Sequence, residues 1–164
     1  METLKAISAR RSIRAFEKRP IVRDVLERIV DAGRLAATAR NEQPWEFVVV
    51  TEPATLHAIG GLADHGKFVA DASACIAVLC KDSKYYLEDG SAATQNLLVA
   101  AADLGVATCW VAGDKKAYGS DVLKLLGAPA EFKLVSLVAM GYAARTDYKV
   151  PKRELASVLH WERF

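Results

Sequence analysis

The segment from residue 86 to 104 constrains this chain most. Its second half, AATQNLLVAAADLG (residues 92–105), is apolar almost all round and stops at Gly105, a residue type that readily ends helices in the left-handed conformation. A helix that is apolar on every side must be covered on every side. In a chain of 164 residues that predicts a central core helix, or one buried by a second copy of the chain.

Other elements follow from period. Residues 22–37 place Val22, Val25, Leu26, Ile29, Val30, Gly33, Ala36 and Ala37 on one face of an amphipathic helix, just after Pro20. Trp45–Thr51 and Ala74–Cys80 are rich in β-branched and apolar residues without helical period, so they read as buried strands. Val106–Val111 and Lys133–Met140 are predicted as a third and a fourth strand. Pro53–Leu62 reads as a helix ended by Gly60-Gly61, and Tyr118–Leu126 as one ended by Gly127. Leu155, Val158 and Leu159 form a weak helical stripe in the tail, residues 154–160. No repeat or linker divides the chain, so one domain spans 1–164. The irregular alternation predicts an α+β fold: a single, mainly antiparallel sheet with helices packed on both faces.

Composition narrows the function classes. The net charge of +2 is too small to argue for nucleic acid. It is uneven, however: residues 1–40 hold ten Arg or Lys against five Asp or Glu. That surplus suits either an anionic ligand or a solvated basic face. Cys75, Cys80 and Cys109 lack metal-ligand spacing. On one strand, Cys75 and Cys80 point to opposite faces and cannot pair, so all three read as reduced thiols of a cytoplasmic protein. The longest apolar run, Leu97 to Ala102, is too short to span a bilayer. There is no Ser-His-Asp set, Walker loop or G-x-G-x-x-G. His57 and His160 fall on predicted helices without partners, and the acids of Tyr85–Asp89 suit the start of a helix.

Two segments offer binding chemistry. Arg10-Arg11-Ser12-Ile13-Arg14 sets three guanidiniums and a hydroxyl in five residues. If the segment is extended, Arg10, Ser12 and Arg14 share a face and can converge on one phosphate; otherwise the run is solvated surface. Thr38-Ala39-Arg40-Asn41-Glu42-Gln43-Pro44-Trp45 is rich in side-chain amides. Amides suit a flat heterocycle with mixed donor and acceptor edges, or simply close a helix and lead into the next strand.

Taken together, RRSIRAF, NEQPWEFVVV, ATQNLLVAAADLGVATCWVAG, LVAMGYA and the closing KRELASVLHWERF resemble the nitroreductase family, in order and over essentially the whole chain. The resemblance implies an FMN-binding homodimer with two flavins at the subunit interface. It assigns Arg10, Arg11, Ser12 and Arg14 to the flavin phosphate and ribityl chain, with Lys152 or Arg153 approaching the same phosphate. Thr38, Asn41, Gln43 and Pro44 match the loop that nears the flavin, in part from the other subunit. Thr108, Cys109, Trp110, Val111 and Gly113 match the segment beside the isoalloxazine, and His65 a position that often carries an amide. Backbone N–H groups there tune the cofactor, and no side chain is assigned a catalytic role.

Two departures stand out. The family's Pro-Ser before the Asn-x-Gln-Pro-Trp element reads Ala37-Thr38, and its Arg-Lys-Pro-Leu tail reads Lys152-Arg153-Glu154-Leu155. Only 17 residues separate His57 from Cys75, so the extra helical lid of longer relatives is expected to be missing. The implied activity passes two electrons from NADH or NADPH to a small electrophile such as a nitroaromatic or quinone. The alternatives are a flavin- or nucleotide-binding sensor without turnover, or divergent chemistry such as reductive dehalogenation or flavin breakdown.

Overall fold

A computed structural model of the chain describes residues 3–145 and 150–164. Four strands, β1 (Trp45–Val50), β2 (Ala74–Lys81), β3 (Ala107–Ala112) and β4 (Phe132–Gly141), form one sheet in the order β1-β2-β4-β3. Every neighbouring pair is antiparallel. Helices α1 (Thr3–Ala9), α2 (Arg23–Arg34) and α4 (Tyr86–Asp103) lie over one face, and α3 (Pro53–Leu62) and α5 (Gly119–Leu125) over the other. The α+β arrangement with helices on both faces is the one the sequence predicts.

The interior strand β2 shows why. Ala74 through Cys80 are all at most 2% exposed. Ile76, Val78 and Cys80 pack with Leu26, Ile29 and Leu97 on the α2/α4 side, while Cys75, Ala77 and Leu79 pack with Ile59, Val69 and Val122 on the other. Each fully buried Ile or Leu contributes about 1.5–3 kcal/mol, so a strand apolar on both faces is stable only between two helix layers. Cys75 and Cys80 fall on opposite faces, and all three thiols are free and buried.

Helix α4 crosses the sheet and is the helix most embedded in it, with Ala93, Thr94, Leu97, Leu98 and Ala101 buried. It ends where Gly105 takes φ +74°. A bulge in β4 fits the sheet to this helix. Val78 pairs with Ser136 but Leu79 with Leu134, which leaves Val135 as an extra residue. Ser136 thereby faces α4, where its hydroxyl lies 2.8 Å from that of Thr94.

Two elements differ from expectation. Helix α2 stops at Arg34, because the chain turns there toward the loop that precedes β1. Helix α3 spans Pro53–Leu62 as expected, with Gly60 and Gly61 inside its last turn; Gly60 is buried against the turn Lys67–Asp71, and packing outweighs the low helix propensity of glycine. The tail forms only a 3-10 turn, Leu155–Ser157. Its apolar stripe finds no surface in a single chain, and Leu155, Val158 and Leu159 stay 69%, 49% and 43% exposed.

Candidate functional site

The Arg10 N–H closes the last turn of α1 on the Ala6 carbonyl at 3.0 Å, and the segment that follows is stitched to the sheet, with bridges at Ser12 to Thr108 and at Phe16 to Ala143. The Ile13 N–H donates to the Thr108 carbonyl at 2.9 Å, the Glu17 N–H to Tyr142 at 2.8 Å, and the Ala144 N–H to Ala15 at 3.0 Å. Extended backbone alternates its side chains. Ile13 is buried, and Arg10, Ser12 and Arg14 gather round Cys109. Burial pushes that thiol above its ordinary range, while Arg14, a hydrogen bond with Ser12, and Arg10 draw it back. Arg10, Ser12 and Arg14 therefore all lie within electrostatic reach of Cys109. Arg11 does not join them: its guanidinium donates to the Ser8 and Arg10 carbonyls at 2.6 and 2.8 Å, capping the end of α1. Arg10 and Arg11 also line a cleft of about 260 Å³ whose far wall includes Arg145, a cation that sequence reasoning passed over.

The row continues onto the free edge of β3. Because the Thr108 carbonyl points away from β4 toward Ile13, alternation puts the N–H and C=O of Trp110 and Ala112 on that same open edge. Cys109 and Val111 face the ladder with β4 and are buried. At the corner after β3, the N–H groups of Gly113 and Asp114 both donate to the Val135 carbonyl, at 3.1 and 3.2 Å. The Tyr118 hydroxyl donates to the Ala112 carbonyl, and the Tyr86 hydroxyl to Asp114 Oδ1 at 2.5 Å. Burial and Asp64 push the Tyr118 phenol above its ordinary range, which brings the 64–68 loop to this corner. Phe68 of that loop lies under the Arg14 guanidinium at 5.8 Å, and exposed His65 stands between Asp64 and Phe68.

The amide-rich loop is elsewhere. Arg40, Asn41 and Gln43 take φ of 56°, 58° and 48°, conformations that non-glycine residues hold only where surroundings over-determine them. Here the Gln43 N–H donates to Thr38 Oγ1 at 3.3 Å, the Gln43 side-chain amide to the Asn41 carbonyl at 3.4 Å, and the Ala39 N–H to Asp89 Oδ1 at 3.1 Å. Pro44 accepts from the Lys81 N–H at 3.0 Å and leads into β1. Thr38, Asn41, Gln43 and Pro44 thus sit at the β1 edge. The Ser12–Ile13 segment is joined to Thr108 of β3, the other outer strand, and the register puts Thr108 and Trp45 at opposite ends of the strands. Among the described residues no hydrogen bond or ion pair joins the two groups. Lys152 and Arg153 are exposed in the tail, where Arg153 donates to the Ser157 carbonyl at 2.6 Å.

Sequence reasoning missed Ala112, Tyr118 and Asp89. Ala112 has no functional side chain to notice, although the phase of β3 counted from Thr108 points to it. Asp89 reads as a helix-start acid, yet its side chain is buried and serves the 38–43 loop.

The nitroreductase family model matches residues 7–77 and 67–142. The chain belongs to the nitroreductase family. A protein of Archaeoglobus fulgidus, provisionally named an NADH dehydrogenase/NAD(P)H nitroreductase, is 39% identical over 149 residues, 86% of this chain and 85% of the relative. A Bacteroides thetaiotaomicron structure with the same provisional name has a TM-score of 0.93 at 26% identity, covering 99% of this chain and 98% of the other. A provisionally named nitroreductase from Desulfovibrio desulfuricans, solved in complex with FMN, has a TM-score of 0.87 at 26% identity and covers 100% and 98% of the two chains. This nitroreductase-family chain is thus an oxidoreductase by family. Among its described residues no helix is long and apolar enough to cross a membrane, and no cluster of His, Cys, Asp or Glu could hold a metal ion.

Proposed function

We propose that this chain is a cytoplasmic, FMN-dependent oxidoreductase that accepts two electrons from NADH or NADPH and passes them to a small electrophile such as a nitroaromatic or quinone. The observation that carries the reading is the alignment of the Arg10–Ser12–Arg14 row with the open, donor-bearing edge of β3. A phosphate needs cations and hydroxyls converging from one side, and a flat ring laid beyond it needs backbone donors along an edge. Both lie on one continuous strip. The Desulfovibrio relative, solved with FMN, supports the choice of cofactor.

In this reading Arg10, Ser12 and Arg14 hold the phosphate, and Arg11 holds the helix end beside it. The edge from Thr108 to Gly113 runs along the ring, with His65 at its rim. Lys152 or Arg153 supplies a further cation from the tail. Bound FMN supplies the two-electron redox chemistry, and this chain's residues bind it, orient it and set its hydrogen bonds.

Thr38, Asn41, Gln43 and Pro44 lie across the sheet from this strip, so they serve a flavin only if a second copy presents them. A homodimer meets that need. It also covers apolar surface that one chain leaves bare: Leu4 and Ile7 of α1 are 80% and 50% exposed, and α1 and α4 line an open cleft of about 470 Å³. In the tail, Trp161 and Phe164 are exposed as well. Burying such surfaces is what two-fold interfaces do.

The test is purification followed by mass analysis of the released chromophore, then NAD(P)H oxidation with a nitroaromatic or quinone. Stoichiometric FMN with turnover supports the reading. Recovery of FAD, or no FMN binding at micromolar concentration, overturns the cofactor; FMN without turnover marks a sensor.

A further inference from the structure

At its last residue, Ala112, the open edge of β3 offers one hydrogen-bonding polarity where an ordinary edge position offers two. In an antiparallel ladder each outward residue presents its N–H and C=O side by side. At Ala112 the carbonyl is already taken by the hydroxyl of Tyr118, which reaches back from the residue that caps the start of α5 and is 6% exposed. The N–H of Ala112 has no partner among the described residues.

We propose that Tyr118 is a positioning residue of the redox site: by capping the Ala112 carbonyl, it makes the Ala112 position of the β3 edge that faces the flavin a donor only. The inference rests on the placement of FMN argued above. Three observations carry it. The cap falls on an outward position of β3, whereas a purely structural tyrosine would serve the ladder or a helix end. The corner it holds is over-determined, with Gly113 and Asp114 both donating to Val135 and Tyr86 donating to Asp114, so the Ala112 N–H cannot swing away. Burial and Asp64 hold the Tyr118 phenol above its ordinary range, which keeps its proton in place as a donor.

The consequence is electrostatic. An oxidised flavin ring offers lone pairs along its reactive edge, and a bare carbonyl there would set lone pair against lone pair. Capping removes that repulsion from the oxidised form. Uncapping penalises the oxidised form and spares the reduced one, so the midpoint potential should rise.

The experiment compares Tyr118→Phe with Tyr86→Phe in the FMN-loaded protein, by FMN titration and by reductive titration against a reference dye. Tyr118→Phe should weaken oxidised FMN binding about tenfold and raise the two-electron potential by the matching amount, about 30 mV. Tyr86→Phe loosens the same corner without uncovering a carbonyl on the edge, and should leave the potential in place. A potential unmoved by Tyr118→Phe, or moved equally by both substitutions, overturns the cap while leaving the FMN reading intact. A wild-type chain that binds no FMN overturns both. Should Tyr118→Phe not fold, amide exchange of the wild type decides: FMN should slow exchange at Ala112, and an unprotected Ala112 amide overturns the inference.

Discussion

Asp89, the fourth residue of α4, accepts the backbone N–H of Ala39 at 3.1 Å across fifty positions of sequence. It is 5% exposed, and its other oxygen has no partner among the described residues. A buried carboxylate is costly unless it accepts hydrogen bonds. Its one bond pins the strained 38–43 loop to the central helix. Asp89→Ala should lower stability by about 1–3 kcal/mol, and amide exchange should quicken at Ala39 first. Asp89→Asn keeps an acceptor and should preserve most of that protection. Unchanged exchange at Ala39 in Asp89→Ala would show that the loop is held by its internal bonds alone.

Arg14 belongs to the proposed phosphate row. Arg14→Ala removes one charge-assisted contact of about 1.5–3 kcal/mol, which corresponds to roughly ten- to a hundredfold in FMN dissociation constant. Turnover at saturating FMN should fall little, because the phosphate end is remote from the reacting ring. The FMN-induced rise in melting temperature should shrink in the variant. If FMN affinity is unaltered at physiological salt, the phosphate lies with Lys152 or Arg153 of the tail.

Gly113 turns the corner beyond β3. A Cβ there would lie 2.5 Å from Leu134 Cγ and 3.0 Å from both the Leu134 oxygen and the Val135 carbonyl carbon. Two of those neighbours are backbone, so the corner itself must move. Gly113→Ala should cost about 1–3 kcal/mol by overpacking, lowering the melting temperature by several degrees. FMN affinity should drop with it, since the displaced corner carries Ala112. A thermal scan and an FMN titration on one preparation check both effects.

The buried thiols contribute to the alkaline limit of the fold, alongside the raised phenols of Tyr86 and Tyr118. Burial pushes Cys75 up to about 12, and burial together with Asp89 does the same for Cys80; Cys109 is raised as well. A group raised on folding contributes stability that is complete below its unfolded value and is lost as pH climbs through the folded one. Melting temperature should therefore hold up to about pH 9 and fall increasingly between there and pH 12. Native protein at pH 8 should leave a thiol reagent unreacted until denaturant is added. Rapid labelling of native Cys75 or Cys80 would contradict their burial.

Much of this could be read from residue order, because the physics involved is local. The apolar wrap of residues 92–104 and the glycine after it foretell α4 as a covered helix. The run Ala74–Cys80, without helical period, foretells β2 as a buried strand, and strand alternation separates Cys75 from Cys80. The spacing of Arg10, Ser12 and Arg14 allows one face if the backbone is extended; the structure bridges Ser12 to β3 while Arg10 closes the end of α1. The tail stripe misleads for the same local reason: period alone cannot supply the surface that a helix must pack against.

What residue order could not decide are relationships between distant segments. Strand order β1-β2-β4-β3 places the amide loop and the arginine row at opposite edges of one sheet, and no local pattern encodes which edge each receives. The extra residue at Val135, the reach of Asp89 to Ala39 and the hydroxyl of Tyr118 on Ala112 all depend on how helices settle on the sheet. Helix and strand periods arise within a few residues of backbone, so the sequence by itself determined them. The pairings that build the site come from burial and hydrogen bonding summed over the whole chain, and only the tertiary structure decided those.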